Sequence, residues 1–131
     1  MNELFSMQGR MGRGNYFLIT VATTLAYLLV MFLVGFLLGT FRPELFVTEE
    51  DPLLITALTY ILLIPYLIVI GVAKVKRLHD LDRPGSHYWL QLIPIYGIYL
   101  ELVMLLKPGT YGTNRYDLSP TRPISEEALA V

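Results

Sequence analysis

The chain has 131 residues, 54% of them hydrophobic and 16% charged, with a net charge of −1 and a mean hydropathy of +0.53. Soluble domains carry about 25% charged residues, and a soluble domain of this size has no use for long helices that are apolar on every side. The absence of cysteine removes disulfides, thiolate metal sites and a cysteine nucleophile together.

The first sixteen residues, with Arg10 and Arg13, read as an interfacial N-terminal segment. Residues 17–41 follow with no acid, base or histidine. As a helix that run is roughly 37 Å long, against a hydrocarbon core of about 30 Å. It is too long for a signal-peptide core and ends in Gly39-Thr40-Phe41-Arg42-Pro43 without a small-residue cleavage motif, so a retained span is expected. Pro43 stops it, and Asp51-Pro52 reads as the next helix start, an Asp N-cap followed by Pro at the first helical position. Residues 53–73 form a second uncharged run of roughly 31 Å, with a kink expected at Pro65.

A third run, residues 88–106, contains Pro94 and Gly97 and ends at Lys107-Pro108-Gly109. It is either a kinked span or a re-entrant hairpin that turns at Pro94-Ile95-Tyr96-Gly97. Non-helical backbone inside a bilayer must be satisfied by protein or water, which three helices supply poorly. The kinked span is therefore preferred. Residues 17–120 make up the membrane domain, and residues 121–131 are expected to be a disordered tail. The fold class is an all-α membrane protein, a small bundle of three hydrophobic helices.

Lys and Arg distribution sets orientation. The N-terminal segment has Arg10 and Arg13, and the second loop has Lys74, Lys76, Arg77 and Arg83, whereas the first loop has only Arg42. The N-terminus and the second loop are expected in the cytoplasm and residues 42–52 outside. A spanning third run would then carry Lys107, Arg115 and Arg122 outside, against the rule.

Four ordered motifs resemble a bacterial inner-membrane family, catalogued as domain of unknown function 805, over residues 9–120. They are Gly9-Arg10-Met11-Gly12-Arg13-Gly14-Asn15-Tyr16-Phe17, then Arg77-Leu78-His79-Asp80, then Trp89 and Pro94, then Lys107-Pro108-Gly109-Thr110-Tyr111-Gly112-Thr113-Asn114-Arg115-Tyr116. Asn15, Phe17 and Asp117 stand where the family usually has Glu, Trp and Gly, and Pro84-Gly85-Ser86-His87-Tyr88 replaces a shorter link. The resemblance implies an inner-membrane location and brings no established biochemical activity.

Three groups of side chains are candidate sites. Arg77, His79 and Asp80 sit at the end of the second helix, where a helix-terminating turn is the plainest reading. The alternative is a polar network reaching Asn114 and Arg115 in the C-terminal segment. Metal binding by His79, Asp80, Asp82 and His87 has no recognised ligand spacing behind it. Glu101 is the one ionisable residue inside a hydrophobic run; its shallow position suggests a carboxylate reaching water or a tyrosine hydroxyl rather than a transport site. Arg10, Arg13, Lys74 and Lys76 are candidate contacts to anionic lipid at the inner face. Gly35 and Gly39 form a G-x-x-x-G that suits packing within the chain, a homo-oligomer or another membrane protein.

Ser6, Ser86, Ser119 and Ser125, the four serines, lie outside the runs and in no nucleophile motif. The bases form no nucleic-acid-binding stripe, and phosphate-loop, dinucleotide and H-E-x-x-H signatures are absent. The expectation is a non-enzymatic protein that takes no cofactor or metal, lives in the lipid bilayer and acts through other proteins, with an oligomeric transporter or channel subunit as the alternative.

Overall fold

A computed structural model describes residues 8–43 and 52–116. Asp51, the acidic part of the first loop and the tail expected to be disordered lie outside them. Helix α1 spans Arg13–Phe41 and helix α2 spans Pro52–Asp80. Both are long and apolar enough to cross a membrane. Most of α1 faces outward: Leu18, Phe32 and Phe36 are more than 60% exposed, and Tyr16 is its one fully buried residue. The helix ends with the Arg42 N–H on the Leu38 carbonyl (2.8 Å), immediately before Pro43. Pro52 opens α2, where its missing N–H leaves no bond unmade, and the helix passes Pro65 without interruption.

The end of α2 is set by a left-handed residue. Asp82 has φ 57°, and the Arg83 N–H reaches back to the Leu78 carbonyl (2.9 Å) while the Asp82 N–H reaches His79 (3.0 Å). This is a Schellman closure, with Asp in the position that glycine usually takes. It turns the chain sharply into the third hydrophobic run.

That run is not one helix. A 3₁₀ segment, Gly85–Leu92, leads to an extended Ile93, and α3 covers Pro94–Leu106. Pro94 starts α3 rather than kinking a longer helix. Gly97 is required at the crossing, because a Cβ there would lie 2.6 Å from the Gln91 carbonyl oxygen. The thirteen residues of α3 measure roughly 20 Å, short of the hydrocarbon thickness.

The direction of α3 corrects the preferred kinked span. Lys74 of α2 pairs with Glu101 of α3, and three residues further along each helix Arg77 of α2 meets the Met104 carbonyl. The two helices therefore run parallel and finish at the same end. The third run folds back on itself at Ile93 and Pro94, the geometry of the alternative hairpin reading. Seven residues separate Pro94 from Glu101, so the tip lies roughly 10 Å beyond the Lys74–Glu101 level. The backbone-satisfaction objection is met by the 3₁₀ bonds that this stretch carries of its own.

The core sits at this shared end, with Tyr16, Ala73, Leu78, Leu81, Leu100 and Met104 in one cluster. Further out, α1 and α2 meet through a Tyr27–Tyr66 stack (centroids 4.7 Å apart) and enclose apolar gaps of about 290 and 110 Å³. Gly35 and Gly39 have no atom within reach of an added Cβ, so the G-x-x-x-G does not bring helices together among the described residues.

The returning hairpin makes a topological prediction that the natural lack of cysteine makes easy to test. Single cysteines at Ser86 and Thr113 are expected to react with an impermeant maleimide from the same side of sealed vesicles, and a cysteine at Arg42 from the opposite side. Opposite labelling of Ser86 and Thr113 would overturn the hairpin.

Candidate functional site

Three segments far apart in sequence meet around one carboxylate. Asp80, at the end of α2, is 1% exposed and lies between two arginines. Arg10 donates from Nε to its Oδ1 (3.1 Å), and Arg77, one turn back on α2, donates to its Oδ2. Both arginine side chains are fully buried in this pairing.

The other contacts of the two guanidinium groups run mainly to backbone carbonyls. Arg77 reaches Met104 (2.7 Å), Lys107 and Met11 (3.4 Å). Met104 lies in the last turn of α3, whose final carbonyls have no partner within the helix, so Arg77 also caps the negative end of that helix. Arg10 reaches the carbonyls of Gly112 and Thr110 (each 2.6 Å) and the Thr110 hydroxyl (3.0 Å). Thr110 in turn donates its N–H (2.8 Å) and its hydroxyl (3.1 Å) to the Asp80 carbonyl. Gly109 is buried against Asp80, and a Cβ there would come within 2.5 Å of the carboxylate carbon. Nothing larger than glycine fits.

The other members of the network offered as the alternative reading join at its edge. Asn114 donates to the His79 carbonyl (2.7 Å) and the Thr110 hydroxyl (3.1 Å). His79 stacks on Tyr116 (4.1 Å, 6° between planes) and sets Nδ1 3.3 Å from the Gly9 carbonyl. Because a carbonyl only accepts, Nδ1 carries the proton in that bond. Arg115 holds Asp82, Nε to Oδ1 at 3.1 Å, and this pair is about half exposed. His87 turns away to the Pro84 carbonyl, and no group of three or more His, Asp or Glu gathers around a common point among the described residues.

A second polar layer lies one turn toward the membrane. Glu101 accepts from the Tyr16 hydroxyl (2.5 Å) and from Gln91 Nε2 (2.9 Å). Lys74 Nζ stands 3.0 Å from both Glu101 Oε2 and Gln91 Oε1. These four residues come from both long helices and both arms of the hairpin.

Of the bases expected to contact lipid, Arg10 needs correction. The Arg10 guanidinium is enclosed by Asp80 and the C-terminal segment and cannot reach lipid; Lys74 is engaged by Glu101 and Gln91. Arg13 remains exposed and Lys76 half-buried. Sequence reasoning did not single out Thr110, Gly109, Gly112, Tyr16 or Gln91 as site residues. The signals were the glycines of the C-terminal motif, Gln91 as a polar residue in an apolar run, and the need of Glu101 for a partner such as a tyrosine hydroxyl.

Charges gathered at one end of two bilayer-length apolar helices define an all-helical integral membrane protein. The chain belongs to the family described as protein of unknown function DUF805, which matches residues 4–118. It is similar to inner membrane protein YhaI of Escherichia coli strain K12, 41% identical over 59 residues, or 45% of this chain and 49% of that protein. YhaI of E. coli O157:H7 gives the same figures. The chain thus spans about half the length of the curated relatives it matches. No solved structure matches it.

Removing one partner of a buried pair strands the other charge, so Asp80→Ala is expected to cost about 3–5 kcal/mol in reversible detergent unfolding. Arg115→Ala, at an exposed pair, should stay within about 1 kcal/mol. Equal effects from the two would show that burial does not govern this network.

Proposed function

We propose that this chain is a non-catalytic accessory component of a bacterial inner membrane, with its N-terminus in the cytoplasm, acting through contacts with other membrane proteins or further copies of itself. The convergence of three sequence segments on Asp80 carries the reading. It clamps the N-terminal segment, the end of α2 and the C-terminal segment into one cap at a single face of the membrane. A cap joined this way presents a fixed surface, which suits recognition better than turnover.

The orientation follows from charge. With the hairpin returning, Arg10, Arg13, Lys74, Lys76, Arg77, Arg83, Lys107 and Arg115 share the capped end, and among the described residues Arg42 alone stands at the other. The conflict that a spanning third run created disappears. The likeness to an inner membrane protein of E. coli supports the inner membrane as the location.

A photo-crosslinking residue at exposed Tyr111 in the cap is expected to give discrete protein adducts in native membranes, lost when Asp80→Ala loosens the cap. Reconstituted protein is expected to conduct no solute. A flux that Glu101→Gln abolishes, with normal accumulation of the variant, would overturn the accessory reading in favour of a transporter or channel.

A further inference from the structure

The two charged layers differ in a way their shared chemistry hides. Around Asp80 the paired side chains are 0–1% exposed, whereas Lys74 and Glu101 are 18% and 31% exposed. They open onto a cleft of about 310 Å³, lined also by Gln91, Pro94, Gly97 and Ile98. We propose that this cleft binds the headgroup of a phospholipid carrying a phosphodiester and a primary ammonium, with the phosphate on Lys74 and the ammonium on Glu101. The assignment does not depend on the accessory role argued above.

Depth comes first. Lys74 directly follows the uncharged run 53–73, so the cleft lies where hydrocarbon gives way to headgroups. A soluble ligand would have to enter that boundary, whereas a lipid headgroup already resides there.

Hydrogen-bonding capacity comes second. An ammonium has three donors, and Lys74 directs two at Gln91 and Glu101. A carboxylate accepts about four bonds, and Glu101 takes three, from Tyr16, Gln91 and Lys74. One donor on Lys74 and one acceptor, on Oε1 of Glu101, remain, and they carry opposite charge. A purely anionic headgroup would satisfy Lys74 and be repelled by Glu101. A quaternary ammonium has no N–H to give the carboxylate.

The rim comes third. Ile98 lines the cleft and is 67% exposed, and Leu92 and Ile95 at the hairpin tip are 77% and 85% exposed. Acyl chains leaving a headgroup in the cleft would run along these side chains into the bilayer.

The test uses the full chain in nanodiscs containing equal amounts of phosphatidylethanolamine, phosphatidylcholine and phosphatidylglycerol, with a photo-crosslinking residue at Ile98. That exposed position disturbs no charge. The ethanolamine lipid is expected to be captured about tenfold over each of the others, the factor expected of one charge-assisted hydrogen bond. With Glu101→Gln the preference over choline lipid should vanish, and with Lys74→Gln capture of all three should fall. A circular-dichroism melt within a few degrees of the parent confirms that each variant is folded. Equal capture of the three lipids by the parent would overturn the proposal. So would full competition by soluble glycerophosphoethanolamine, which would point to a free phosphoester, or predominant capture of a second protein chain. None of these three results bears on the Tyr111 adducts, so this site and the accessory role fail separately.

Discussion

The Asp80 carboxylate between two buried arginines is the constraint on which the rest of this molecule depends. Three charges in so enclosed a place are tolerable only if nearly every remaining N–H finds an acceptor, because desolvation of each ion costs several kcal/mol. The acceptors are main-chain carbonyls of Met11, Met104, Lys107, Thr110 and Gly112. Each of those carbonyls belongs to a segment that is irregular or at a helix end. The ionic centre thus takes its hydrogen bonds from backbone that lacks partners of its own, and the two needs cancel.

This exchange also explains why the chain returns. A third span would have carried Lys107 and everything after it to the far side of the bilayer, leaving Arg77 without the end of α3 and Arg10 without Thr110. Gly97, Pro94 and the 3₁₀ arm let the run double back within a shallow depth, and Gly109 lets the following segment lie flat against the carboxylate. The hairpin and the network are two views of the same solution.

Above the cap the two long helices meet through the Tyr27–Tyr66 stack and a Thr24–Tyr66 hydrogen bond and leave apolar gaps between them. No hydrophobic force draws helices together in lipid, so specificity there must come from close packing or polar contacts. Here it is concentrated at one end, where Tyr16, Lys74, Gln91 and Glu101 tie both helices to the hairpin. The capped end is organised by charge and the rest by length and apolarity.

What could be read directly in the residues were those properties that depend on local runs. Twenty or more uncharged residues must be a span, the proline after Arg42 must end the first of them, and Pro94 with Gly97 must kink or turn the third run. Glu101 showed as a shallow acid, and its tyrosine hydroxyl was anticipated without its owner. Tertiary structure decided the rest: that the third run returns, that Arg10 serves Asp80 instead of lipid, and that Lys74 joins Glu101. Arg10 and Asp80 are seventy residues apart, and Arg10 and Thr110 a hundred. No periodicity links such positions. Pairing across that distance is set by how the helices pack and where the hairpin turns, and the side chains alone do not encode which charge will be buried with which.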